Sequence, residues 1–187
     1  MGRVKLVAVA AHSEDADPSL ARAAELFVET LASSCGERAA LVLGGYWGLM
    51  RVVVDKALSL GLRVVLLPPI EMERGREYPP DALVIRTGLS FRGRSVALAR
   101  SCDVMVALGG ASGTMIEVLL AYTEGKPSFV LQGTGLPTDK LERLAPFPDG
   151  RRLARIELIE DPVALAERVC SELERGLTEQ YSQASRS

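Results

Sequence analysis

The chain has 187 residues, 48% hydrophobic and 25% charged, with 22 Lys and Arg against 24 Asp and Glu for a net charge of −2. That supplies ample apolar material for one core, and the acidic balance argues against a surface built to bind nucleic acid without specificity. Three scattered cysteines (Cys35, Cys102, Cys170) and a single histidine, His12, argue against a disulfide framework, a zinc cluster and a Ser-His-Asp triad.

The opening MGRVKLVAVAAHSED starts basic but runs into acidic residues without the apolar stretch and cleavage pattern of a signal peptide. No apolar run is long enough to cross a bilayer. A cytoplasmic protein with no membrane partner is expected. Each cysteine is expected to pack as a small apolar residue.

A first strand is predicted over residues 4–10, with the unbroken apolar character of a strand covered on both faces. A helix follows over 18–33, capped by Asp17 with Pro18 in its first position. The second strand, 40–43, ends at Gly44-Gly45, and a helix over 49–60 is stopped by Gly61. The third strand, 62–67, ends at Pro68-Pro69. Residues 68–81 read as a loop, either a functional flap or a mobile segment.

A short strand at 83–85 and a helix over 94–102 come next, then a strand at 103–108 and a helix over 114–124. Strand 128–131 precedes a Pro/Gly-rich stretch with a short helix near 139–144. A last strand at 156–159 and a helix over 162–175, capped by Asp161, complete one domain of residues 1–175. Residues 176–187 are polar and predicted to be a disordered tail.

This alternation implies an α/β class, a Rossmann-like three-layer α/β/α fold with a mainly parallel sheet. Ligands bind such sheets outside the carboxyl ends of the strands. That rule selects four loops: 11–17, 44–50, 87–94 and 109–117. Two of them are glycine-rich. GGYWGLM (44–50) and GGASGT (109–114) each follow a strand and open a helix. There, backbone N–H groups approach an anion closely and the helix N-terminus adds partial positive charge. Neither has the Gly-Lys-Ser/Thr of a Walker loop or the dinucleotide GxGxxG fingerprint. Phosphate binding is the chemistry they suit.

Glu117 has two readings. Thr114-Met115-Ile116-Glu117 spells a capping box, in which the carboxylate turns back onto its own helix start. Alternatively, it reaches past a bound phosphate toward ribose hydroxyls.

Together these residues resemble the LONELY GUY-like family of cytokinin-activating phosphoribohydrolases, also called lysine-decarboxylase-like, with its DprA/Smf-related and molybdenum-cofactor-carrier relatives. The family motif PGGxGTxxE falls on the stretch from Gly109 to Glu117, and GGxxGLM on that from Gly44 to Met50. The family's Arg, nine residues before the Asp that begins a strand, falls on Arg94, with Asp103 as that Asp, and its first-loop serine region on His12-Ser13. The resemblance spans residues 4–127. It implies Arg94 and Glu117 as catalytic residues. It implies phosphate or nucleotide contacts at Ser13, Gly44, Gly45, Gly109, Gly110, Ala111, Ser112, Gly113 and Thr114, with no metal and no cofactor.

The implied function is hydrolysis of the N-glycosidic bond of a nucleoside 5′-monophosphate, by a homodimer or larger assembly with its pocket near the interface. Departures point toward the carrier-like branch. Gly109 stands for Pro, Ala111 for the second Gly, Ile116 for Glu and Ser95 for the Lys after the Arg, and Phe91-Arg92 replaces Met-His. The alternative is therefore a non-catalytic protein that binds or carries a nucleotide or the molybdenum cofactor. A DprA-like DNA role fits poorly with 5% aromatic residues. A pyridoxal-dependent decarboxylase fits poorly too, because none of Lys5, Lys56, Lys126 and Lys140 sits at a strand end beside a cofactor motif. Tyr46 and Trp47 suit either stacking on a base or packing against a neighbouring subunit. His12 is expected to make a local hydrogen bond, and Arg151-Arg152 to be surface.

Overall fold

In the computed structural model, which describes residues 3–184, the short apolar runs form seven strands. They are β1 (Lys5–Ala10), β2 (Ala39–Leu43), β3 (Arg63–Leu66), β4 (Leu83–Val84), β5 (Val104–Ala107), β6 (Ser128–Leu131) and β7 (Ile156–Ile159). They lie in one sheet in the order β4-β3-β2-β1-β5-β6-β7. Every neighbouring pair is parallel, so the sheet is wholly rather than mainly parallel. The chain builds outward from β1 to β4, then returns to pair β5 with β1 and builds outward again to β7. Val7 faces Val104 and Ala10 faces Ala107 across that central pair. This reversal opens a crevice beyond the carboxyl ends of β1 and β5.

The helices are α1 (Pro18–Cys35), α2 (Gly48–Ser59), α3 (Ile70–Glu73), α4 (Phe91–Ser101), α5 (Ser112–Thr123) and α6 (Pro162–Ala184). Alternate residues of a strand face opposite sides of the sheet, and β1 feeds both layers. Val7 and Val9 join Phe27 and Leu31 of α1, Val53 of α2 and Val169 of α6 on one side. Ala8 and Ala10 join Leu98 of α4 with Val118 and Ala121 of α5 on the other. Fully burying a Leu, Val or Phe in either layer contributes about 1.5–3 kcal/mol. Both faces are covered, which is why the strands carry no polar alternation.

The expected caps are present. Asp17 Oδ1 accepts from the N–H groups of Ser19 and Leu20 at 2.9 and 3.1 Å, and Asp161 Oδ2 from that of Ala164 at 2.8 Å. Helix starts differ more. The Arg94 N–H donates to Ser90 O at 2.8 Å, so α4 begins at Phe91 and Arg94 lies within its first turn. The loop over 68–81 contains the single turn α3, against which the Tyr78 hydroxyl donates to Met72 O at 2.7 Å. The short helix expected near 139–144 is a 3₁₀ segment, Pro137–Leu144. α6 continues past Arg175 into the stretch predicted to be a disordered tail, and residues 185–187 lie outside the described residues.

The cysteines require a correction. Cys35 at the end of α1 and Cys170 in α6 form a disulfide, with a Cα–Cα distance of 5.7 Å. They are separated by 135 residues, and only the packing of α1 against α6 brings them together. Cys102 is free and buried, and burial pushes its thiol up to about 12, so it holds its proton and stays inert. Among the described residues no helix is long and apolar enough to cross a membrane, and no group of His, Cys, Asp and Glu could hold a metal ion.

Candidate functional site

All four loops selected from the sequence meet at one cavity of about 470 Å³ beyond the ends of β1 and β5. Ala11, His12 and Ser13 come from the loop after β1, and Trp47 and Met50 from the start of α2. Phe91, Arg92, Arg94 and Ser95 come from the first turns of α4. Ala111, Ser112, Gly113, Thr114, Ile116 and Glu117 come from the start of α5. Trp47, Met50, Phe91 and Ile116 give the cavity an apolar portion, while the α5 terminus and the charged pair below make the rest polar.

Arg94 and Glu117 form that pair. The Arg94 Nη1 donates to Glu117 Oε1 at 2.5 Å, and Ser95 Oγ lies 2.9 Å from the same oxygen. Arg94, Ser95 and Glu117 are 7%, 8% and 6% exposed, so the contacts are made almost out of water. Burial raises the Glu117 carboxyl above its ordinary value, against the lowering pull of Arg94 and the Ser95 hydroxyl. The Arg94 Nε–H is buried without a hydrogen-bond partner. A buried unmatched donor costs about 1–3 kcal/mol.

The capping-box reading of Glu117 is overturned. α5 starts at Ser112 with Ala111 as its cap, so Glu117 lies beyond the first turn and points across to α4. Because Ala111 offers no side-chain acceptor, the first N–H groups of α5 have no side-chain cap. Such N–H groups, with the positive pole of the helix dipole behind them, have the chemistry that suits an anion.

The expected contacts divide into two sets. Ser13, Arg94, Ala111, Ser112, Gly113, Thr114 and Glu117 line the cavity. Gly44, Gly45, Gly109 and Gly110 lie behind it. A Cβ at Gly44 would overlap the Arg94 guanidinium, and one at Gly45 would overlap the Trp47 ring. Gly109 adopts φ +91°, which only glycine tolerates easily, and turns the chain against Leu136, Thr134 and Leu20. The Gly110 N–H donates to Thr138 Oγ1 at 3.1 Å, and the Gly110 carbonyl accepts from Thr138 N at 3.1 Å. That amide is therefore already engaged.

Two residues carried no adequate sequence signal. Ser95 is visible only as a departure from the family motif, yet it touches the Glu117 carboxylate. Thr138, wholly buried, anchors the glycine turn from a distant segment. His12 contributes to the wall, and its backbone carbonyl accepts from Leu49 N at 3.0 Å. Its Nε2 lies 3.9 Å from Glu14. Trp47 meets Phe91 edge-on at 6.5 Å and carries the Arg76 guanidinium 5.0 Å from its ring centre. Tyr46 instead donates to Asp55 at 2.6 Å. Arg151 is exposed and held by Asp149 at 2.7 Å.

A model of the SLOG cluster4 family matches residues 4–156. This agrees with the resemblance carried by the two glycine motifs. An uncharacterized protein of Archaeoglobus fulgidus is 28% identical over 99 residues, which are 50% of this chain. The match spans 64% of that relative's length. Among solved structures, TM1055, a structural-genomics target, has a TM-score of 0.76 at 29% identity, over 90% of this chain and 99% of that one. The molybdenum cofactor carrier protein of Chlamydomonas reinhardtii has a TM-score of 0.73 at 23% identity, over 92% of this chain and 99% of that one. The second likeness is one of fold.

Proposed function

The chain belongs to the SLOG cluster4 family, and on that premise we propose that its cavity binds a nucleoside 5′-monophosphate and hydrolyses the N-glycosidic bond. The observation that carries this reading is the buried Arg94–Glu117 pair beside the uncapped N-terminus of α5. The 5′-phosphate is held by the first N–H groups of α5, with Thr114 and Ser13 beside them. The ribose then reaches Glu117. Cleavage builds positive charge on the sugar, which a carboxylate stabilises.

Water oxygen bonds to C1′ as the C1′–N bond breaks, and the bonding pair leaves with the base. Glu117 takes the proton that the water loses, the departing base takes one from solvent, and Glu117 then returns its proton to solvent, leaving free base and ribose 5-phosphate. A carboxyl raised by burial suits that proton transfer better than an ordinary one. Arg94 supports the negative charge that develops on the base. Trp47, Met50, Phe91 and Ile116 offer the base an apolar surface.

The expected setting is a cytoplasmic homodimer that does not bind nucleic acid. Phe91, Val96 and Ile116 are 41%, 39% and 49% exposed on α4 and α5, beside the cavity, and suit burial against a second copy.

A second reading, a nucleotide or molybdenum-cofactor binding or carrier protein without turnover, is favoured by one observation. Glu117 Oε1 already accepts from both Arg94 and Ser95, which restrains it as a base. Incubation with a panel of nucleoside monophosphates, assayed for free base and ribose 5-phosphate, separates the two. Release of both supports hydrolysis. A nucleotide that raises the melting temperature without being cleaved supports the carrier.

A further inference from the structure

Ser95 Oγ sits between two acceptors, 2.9 Å from Glu117 Oε1 and 3.1 Å from the Phe91 carbonyl oxygen. The hydroxyl has one proton and can serve one of them at a time. Which it serves depends on the charge of Glu117. An ionised carboxylate is the stronger acceptor and draws the proton to Oε1. A protonated carboxyl is a weaker one and leaves the hydroxyl to the Phe91 carbonyl, the usual bond from a helical serine to the turn before it.

We infer that Ser95 is a positioning residue for Glu117, a hydroxyl that holds the ionised carboxylate on Arg94 and swings to Phe91 when the carboxylate gains a proton. This deepens the proposed function, because Phe91 and Glu117 both line the ligand cavity. Protonation at the acid would thereby be felt at the first turn of α4, where the apolar part of the ligand lies.

The surroundings leave this assignment to few groups. On α4, Arg94 is the charge that acts on Glu117, and Arg92 is a further cation in the cavity wall. From the loop after β1, His12 lines the same cavity and lies near Glu14. Behind α5, Asp139 of the 3₁₀ segment is taken up by Thr134 and Gly135. The same segment carries Lys140, Glu142 and Arg143. Burial sets the direction of the Glu117 shift, and the Ser95 hydroxyl opposes it.

The test is an NMR titration of the full chain without ligand, following the Glu117 carboxyl carbon and the Phe91 carbonyl carbon. In the unmodified protein both should titrate with one midpoint. A Phe91 signal that stays flat while Glu117 titrates overturns the inference, and this needs no variant. In Ser95→Ala the Glu117 midpoint should rise by roughly one pH unit, the scale of a lost bond to a charged group. Ser95→Thr, which keeps the hydroxyl, should bring it back. An unchanged midpoint in Ser95→Ala, or a midpoint still raised in Ser95→Thr, also overturns it. The titration contains no nucleotide, so failure to cleave any substrate would count against the proposed hydrolysis and leave the Ser95 inference to this measurement.

Discussion

The Arg94 guanidinium lies so close over the Cα of Gly44 that a Cβ built there would overlap its Nη1, Cζ and Nη2 atoms. Gly44 belongs to a turn after β2 and Arg94 to α4, yet the absence of one carbon at the first sets the position of the second. The glycine positions the arginine.

Gly44→Ala should therefore displace Arg94 from Glu117 while the fold is kept. An arginine so displaced also loses its charge-assisted contact to the bound nucleotide, which corresponds to about tenfold or more in affinity. Calorimetric titration with adenosine 5′-monophosphate, used as a probe, checks this alongside a circular dichroism spectrum. Unchanged affinity in a folded variant would show that Arg94 does not need this floor.

Glu117 should make stability depend on pH in a defined sense. Its carboxyl is raised in the folded state from an ordinary value of 4.5, chiefly by burial. The unfolded chain then ionises first, so the contribution of this residue is complete below the unfolded value and is lost as pH rises through the folded one. Glu117→Gln cannot ionise. Its melting temperature should match the unmodified protein in acid and exceed it above the folded carboxyl's titration. Turnover, where Glu117 is the base, should fall by about 10²–10⁴. Parallel melting curves from acid to neutral pH decide the first point, and a difference that stays constant across that range would contradict it.

Thr138→Val should weaken the glycine turn without changing side-chain shape. The substitution removes the acceptor of the Gly110 N–H, which is buried. An unmatched buried donor costs about 1–3 kcal/mol, and urea unfolding should report a loss of that size. Nucleotide affinity should fall as well, because Gly110 leads directly into the α5 terminus. Full stability in the variant would mean that the turn is held by its own backbone.

Much of this protein was legible in its sequence because the relevant signals are local. Apolar runs fixed the strands, Asp17 and Asp161 marked helix starts, and the glycine pairs at Gly44 and Gly109 marked the turns. The rule that ligands sit at strand carboxyl ends then brought the right four loops to one place. What the sequence left open was the direction of side chains. Thr114 and Glu117 spell a capping box only if the helix starts near Thr114, and it starts at Ser112. With Ala111 as the cap, Glu117 stands too far along the helix to reach its start, and its carboxylate meets Arg94 of α4 instead.

The remaining assignments were decided by packing between elements distant in the chain. Ser95 meets Glu117 because α4 and α5 share one face of the sheet, and Thr138 meets Gly110 across 28 residues. Cys35 meets Cys170 because α1 and α6 share the other. Residue spacing encodes the phase of one helix or strand. It does not encode which helix will lie beside it, and that choice fixed the charged pair, its serine and the disulfide.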